Sequence, residues 1–359
     1  MHVALLTNTA WLDEQLQMFR HLVVGLIDSG VRVAQVVPDL LPQDDANTFG
    51  EVITWRDSRW PWVRDRRLVA VADQLGKLGV DVIHALDGRL WDAAAGLGRR
   101  LQVPLLLQAT SVLDVASVTR HARAAERLRV AFAATTQPLR DAIAEQAAED
   151  VPVAVIPPGV HVPAEVTTAP RSSVLCAVVS GTGELDQQYE AVLLALRELV
   201  DEHPQVQFFL DGQHADQHAL WQAARRLRLL ENVSLVPRRL GHREMLLKAD
   251  LLIHPQAVGK ARSLTLQAMA CGVPVLALQD RWVDYLIDDQ TAWLADSAQA
   301  DRWLALFKRV LEHPDDAAAL GQRARKWIGE NRRPSDYVAA TLDLYRTVTG
   351  ESMKFPQEP

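Results

Sequence analysis

The sequence predicts an α/β protein of two Rossmann-like domains, each a parallel sheet covered by helices on both faces. Three observations predict it. Short apolar runs alternate with amphipathic segments at helical spacing. A polar stretch with two prolines, HVPAEVTTAPRSS (161–173), interrupts the alternation, and beyond it the alternation begins again. The length agrees: 359 residues, 48% of them hydrophobic, exceed one ordinary core and suit two domains of about 150 to 200 residues each.

In the first half, HVALLTNT (2–9) reads as a strand. Leu16 to Ser29 carries apolar residues at helical spacing until Gly30 stops it. Strands follow at VRVAQVVP (31–38), DVIHAL (81–86) and VPLLLQAT (103–110), with a helix from Trp91 to Arg100. AFAATT (131–136) precedes a helix from Pro138, a residue suited to a first helical turn, and VPVAVIPPG (151–159) closes the half. After the linker, strands are expected at 173–180, 206–212, 233–237, 250–255 and 273–278. Helices are expected near 186–202, 214–230, 241–249, 263–271 and 300–312, then over 317–347 on both sides of RRPSD (332–336). The expected domains are 1–165, 166–330, and a C-terminal stretch, 331–359, whose helix returns toward the first domain before a frayed tail. Paired domains of this kind bind ligands in the cleft between the carboxyl ends of their strands.

Composition narrows the function. A formal charge of -7 and a pI near 5.9 point away from nucleic acid or an anionic membrane, local basic patches aside. Cys176 and Cys271 sit in separate apolar runs and read as core thiols, not as a disulfide or metal framework. The N-terminus reads as a first strand and not as a signal peptide, and no apolar run approaches the ~20 residues a membrane span needs. The expected setting is cytoplasmic, with no transmembrane segment.

The stretch HPQAVGKARSLTLQAMACGVPVLAL (254–278) carries the densest chemical signal. Its left part is a loop after a strand. Ser263 is placed to cap the helix LTLQAMAC, and Gly272 with Pro274 ends it. Open amides at such a helix start form an anion site, Lys260 and Arg262 add positive charge beside it, and Gln267 offers hydrogen bonds to hydroxyls. An ordinary surface helix with a serine cap and nearby basic residues shows the same pattern.

AMACGVPVLAL together with DYLIDDQTAWL (284–294) resembles the donor half of family 4-type (group 1) retaining glycosyltransferases, whose architecture of two Rossmann-like domains with parallel sheets facing across a cleft is called GT-B. FAATTQPLRDAI (132–143), VAVIPPGVHVP (153–163), DVIHAL and LKADLLIHP are similar to further segments of that family, in order along nearly the whole chain. The resemblance implies a nucleotide-sugar substrate, no metal and no other cofactor.

The motif positions depart from the family. Of its two glutamates eight positions apart, the ribose-binding one falls on Gln267 and the sugar-side one on Gly259. Family glycines nearby fall on Lys260 and Arg262, and the diphosphate-holding Arg and Lys fall on Thr182 and Gln187. An early Gly-Gly loop of the acceptor side falls on Asp13 and Glu14, where carboxylates would repel phosphate, and a histidine falls near Thr110. His84 is kept, and its place within a strand favours a structural role. Lys260 and Arg262 could supply the missing charge, with Arg238 and Arg239 near the base and Ser180, Gly181 and Thr182 giving amide or hydroxyl contacts; four solvated loop cations and a simple glycine turn fit the same residues equally. Asp280, Arg281 and Asp284 follow a strand end and line the expected cleft, and Asp284 equally suits a turn cap. TWRDSRWPWVRDRR (54–67) reads first as an amphipathic connector packing its tryptophans, and second as a loop against the acceptor side or a carbohydrate-stacking surface.

The donor-side candidates are therefore Gly181, Thr182, Arg238, Lys260, Arg262, Ser263 and Gln267, and the acceptor-side candidates are Asp13, Glu14 and Thr110. The expected function is sugar transfer from a nucleotide sugar. The alternatives are a binding or scaffolding protein on the same fold and, third, an epimerase or hydrolase, for which no matched acid and base set stands out.

Overall fold

The computed structural model describes residues 1–38, 49–56, 60–123, 128–164, 175–181, 185–212, 217–237 and 242–350. Thr182, Arg238, Arg239, most of the linker and the tail from 351 lie outside the described residues. The chain forms two compact units: Met1–Gly159 with Gly259–Ala261 and Pro334–Pro359, and Val160–Val258 with Arg262–Arg333.

In chain order the first unit places β1 (His2–Leu6), α1 (Thr9–Asp28), β2 (Arg32–Pro38), β3 (Glu51–Trp55), α2 (Pro61–Leu78) and β4 (Val82–Ala85). It continues with α3 (Trp91–Leu101), β5 (Leu105–Ala109), α4 (Val112–Val115), α5 (Val118–Ala122), β6 (Val130–Ala134), α6 (Gln137–Ala144) and β7 (Val153–Val155). The second unit follows with β8 (Cys176–Val179), α7 (Gln187–Glu202), β9 (Gln207–Gly212), α8 (Gln217–Arg226), β10 (Val233–Pro237), α9 (His242–Lys248) and β11 (Leu251–His254). Then come α10 (Ser263–Ala270), β12 (Val275–Leu278), β13 (Trp293–Ala295), α11 (Ala300–Glu312) and α12 (Pro314–Asn331), while α13 (Pro334–Thr349) belongs to the first unit.

Both sheets are parallel, ordered β3-β2-β1-β4-β5-β6-β7 and β10-β9-β8-β11-β12-β13. Each order reverses direction at one point, between β1 and β4 and between β8 and β11. Crevices at the carboxyl ends of such switch points are where open α/β sheets take ligands.

Burial on both faces explains the apolar runs. In β1, Val3 and Leu5 pack with Leu22 and Leu26 of α1 and Tyr345 of α13, whereas Ala4 and Leu6 join the opposite cluster with Leu75 of α2 and Leu97 of α3. The second unit gathers Val179, Leu196, Leu276, Trp293, Trp303 and Phe307 into its core. Cys176 and Cys271 are free thiols, Cys271 buried and Cys176 half-buried, and burial followed by the charge of Asp250 raises the Cys176 pKa.

Several sequence expectations need correction. The first helix begins at Thr9, capped by the Asn8 side chain, so Asp13 and Glu14 lie on a helix and not in a loop. The ends of the stretch at 54–67 belong to regular elements, which the sequence did not assign. Trp55 ends an edge strand, and α2 starts at Pro61. β13 adds a sixth strand that the sequence did not assign. Among the described residues no helix is long and apolar enough to cross a membrane, and no group of three His, Cys, Asp or Glu is placed to hold a metal ion.

Candidate functional site

In the second unit, β8 runs into Ser180 and Gly181 at the switch point. The Ser180 hydroxyl lies 3.4 Å from His254 Nδ1, which is 2.8 Å from Thr265 Oγ1 of α10, so three elements are tied by one buried polar chain. A Cβ at Gly181 would come within 2.5 Å of the Tyr189 ring, which makes Gly181 a packing requirement of that fully buried tyrosine. Burial, then the charges of Asp211 and Asp186, push the Tyr189 hydroxyl far up from its ordinary pKa.

The start of α7 is laced to the loop after β11. Asp186 Oδ1 caps the helix by accepting from the Tyr189 amide at 2.8 Å, and Oδ2 accepts from Gln256 Nε2 at 2.6 Å. Gln188 Oε1 accepts from the Ala257 amide at 3.0 Å, while Gln187 points no charge here and is exposed. A carboxylate therefore occupies a helix start that an anionic ligand would otherwise contest.

α10 is built differently. Its N-cap residue is Arg262, 6% exposed, whose amide donates to the Tyr285 hydroxyl at 2.9 Å, and no side chain caps the helix. Ser263, expected as the cap, is the first helical residue, and its Oγ accepts from Gln267 Nε2 at 2.7 Å. The first-turn amides of Ser263, Leu264 and Thr265 have no intrahelical acceptor by geometry, and the Arg262 side chain does not cap them. Arg262, Ser263 and Gln267 are thus gathered at one helix start. Asp280 accepts from the Trp282 amide at 2.9 Å, Arg281 lies over the Trp282 ring, and Asp284 pairs with Arg332 at 2.5 Å.

In the first unit, Asn8 caps α1 by accepting from Trp11 N at 2.9 Å. Glu14 Oε2 and Lys260 Nζ form an ion pair at 2.5 Å, with side chains 6% and 18% exposed. Gln15 Nε2 donates to the Ala261 carbonyl at 3.2 Å, and the Gly259 carbonyl accepts from Val112 N at 3.1 Å. Gly259 has φ +62, a left-handed conformation that glycine adopts without strain. Lys260, expected to await phosphate, is engaged by the carboxylate that was expected to repel it. Asp13 precedes Glu14 on α1, half-buried.

Thr110 is buried, and its amide donates to Asp114 Oδ2 at 2.9 Å, alongside the Ser111 amide at 3.0 Å. Burial raises the Asp114 pKa, partly offset by these two amides. Three residues here were missed by the sequence reading: Asp87, Arg89 and Asp114. Asp87 caps the turn after β4 and holds the Arg89 guanidinium through two bonds of 2.8 and 3.1 Å, which raises the Arg89 pKa. The Arg89 side chain stays 60% exposed at the β1–β4 switch point. The signal was the DGR tripeptide (87–89) directly after the strand DVIHAL.

Residues 172–327 match the family model described as "Glycosyl transferases group 1". No curated protein matches the sequence. Among solved structures, HepE from Anabaena in complex with UDP and glucose superposes with a TM-score of 0.75 at 14% identity, covering 98% of this chain and 99% of that one. Sucrose-phosphate synthase from Thermosynechococcus elongatus gives 0.74 at 16% identity, covering 98% and 100%. The chain has the GT-B fold. That fold is not confined to transferases: a putative UDP-N-acetylglucosamine 2-epimerase from Listeria monocytogenes matches at TM-score 0.66 and 13% identity, over 100% of this chain and 99% of that one.

On this GT-B frame the sequence candidates separate into two groups. Gly181, Arg262, Ser263 and Gln267 lie at the β8–β11 switch end of the second unit. Lys260 and Glu14 are paired in the first unit, with Lys260 bridging to Ser111, the residue after Thr110.

Proposed function

We propose that the chain is a glycosyltransferase that binds a nucleotide sugar in its second unit and transfers the sugar, with retention and without a metal, to an acceptor hydroxyl. The observation that carries this reading is the start of α10: amides with no side-chain cap, following Arg262, at the carboxyl end of β11. As the bond from the sugar to the diphosphate breaks, negative charge grows on the leaving group, and those amides are the groups to stabilise it. Gln267 takes the hydroxyl-binding role, Gly181 offers a backbone amide, and Thr182 and Arg238 are assigned to the phosphate and base from sequence alone. Support comes also from the family match over 172–327.

Titration calorimetry with UDP, GDP and ADP, and with their sugar derivatives, tests the reading. One nucleotide should bind, and its sugar should be transferred when a panel of acceptors is supplied. Absence of binding by the folded protein to all of them would sink it.

A second reading, binding without transfer, is favoured by one specific pair of facts: Gly259 brings no side chain, and Lys260 is held by Glu14. It requires nucleotide-sugar binding with no turnover across the acceptor panel.

A further inference from the structure

The tryptophan-rich stretch at 54–67 divides in two. Trp55 is 6% exposed and packs in the core beside Leu68 and Val71. Trp60 and Trp62, by contrast, are 68% and 70% exposed. Helix α2 buries Leu68, Val71, Ala72 and Leu75, and on its outer face, at helical spacing, stand Trp62, Arg66 and Val69. Two large aromatic rings this exposed at a helix entry are a surface feature with a use.

The charge along this stretch is predominantly positive. Residues 54–67 contain five arginines against two aspartates, in a chain whose net charge is -7. Arg56 and Arg66 are exposed, and Asp65 is engaged by Arg100. Arg67 donates to the Arg56 carbonyl at 2.8 Å, which ties Arg56 to α2. A sugar-stacking platform sets acceptor groups beside the ring, whereas the exposed residues of this entry are Arg56, Arg66 and the aliphatic Val69, with the carboxylate of Asp65 taken up by Arg100. Tryptophan rings seated at headgroup depth, with arginine stems lying along apolar surface and heads among phosphates, fit this composition.

We propose that the entry of α2, with Trp60, Trp62, Arg56 and Arg66, docks the protein onto bilayers containing anionic phospholipids. The test is co-sedimentation of the full chain with vesicles of phosphatidylcholine alone and of phosphatidylcholine mixed with phosphatidylglycerol. The wild type should associate with the mixed vesicles, and added salt should weaken the association. Trp60→Ser/Trp62→Ser should lower partitioning by roughly tenfold or more, since both rings that would enter the headgroup region are lost. Arg56→Ala and Arg66→Ala should each lower it about fivefold. All three variants should keep the wild-type thermal midpoint, because these side chains are exposed. The proposal is overturned by absent vesicle association, by association that the tryptophan pair does not affect, or by equal association with pure phosphatidylcholine. It is equally overturned if an oligosaccharide or a single-stranded oligonucleotide binds through the tryptophan pair while vesicles do not.

Discussion

His84 is a fully buried strand residue whose two ring nitrogens are both used. The Tyr345 hydroxyl donates to Nδ1 at 2.7 Å, and Nε2–H donates to Gln108 Oε1 at 3.1 Å. Burial lowers its pKa to about 3, against 6.5 for a free imidazole, with the Gln108 bond opposing the shift. The unfolded chain therefore binds a proton between those values that the folded chain does not. Stability from the neutral ring is fully present above about pH 6.5 and is lost progressively as pH falls toward 3. From pH 6.5 to 5 the loss is about 2 kcal/mol. His84→Gln should flatten that limb of the stability-versus-pH curve, and an unchanged slope would refute the assignment. Glu14 and Lys260 make a second case. Both residues were visible in the sequence, but their pairing spans 246 positions and no local pattern announces it. Lys260→Met should cost more than the ~1 kcal/mol ceiling of exposed pairs, because it strands a 6% exposed carboxylate. The double variant Glu14→Gln/Lys260→Met should recover part of that loss in a denaturation cycle, and strict additivity would show that the pair is energetically idle.

At the scale of elements, helix starts decide where anions are welcome. Asp186 caps α7 and also accepts from Gln256, so Asp186→Ala should cost about 1–2 kcal/mol in chemical denaturation. Ser263 is not the cap, and its hydroxyl accepts from Gln267 Nε2, so Ser263→Ala should cost under about 0.5 kcal/mol. Equal costs would mean that Ser263 is the cap after all. The sequence placed a serine at the right helix but one position off in role, because cap and first helical residue differ only in backbone angles. Central strands were legible because burial on both faces leaves uninterrupted apolar runs such as LLLQA and VAFAA. The edge strand β3 was not, because EVITW buries only Ile53 and Trp55. Helix α2 was hidden by the arginines and tryptophans of its exposed entry, which mask the apolar spacing of Leu68, Val71, Ala72 and Leu75.

At the scale of the whole molecule, the two-sheet repeat was legible because each sheet restarts the same alternation. The side-chain contacts that complete each unit were not, because the chain leaves the first unit at Gly159 and returns to stay only at Pro334. Helix α13 then buries Tyr337, Val338, Leu344, Tyr345 and Val348 against Leu22, Val23 and Leu26 of α1 and the first sheet. At roughly 1.5–3 kcal/mol for each large side chain, this burial is on the order of 10 kcal/mol, as large as the whole stability of an ordinary domain. Arg332, by contrast, serves the second unit: it pairs with Asp284, and its carbonyl accepts from Val160 N at 2.8 Å. A chain ending at Arg333 should therefore lose the first unit and keep the second. In hydrogen exchange, amides of β1, β4, β5 and α1 should lose protection, while those of β8, β11, β12 and α10 retain it. His84 would also lose Tyr345, so the acid-limb signature of its neutral ring should vanish with the helix. Retained protection in β1 and β4 of the shortened chain would show that the first sheet holds its own core without α13.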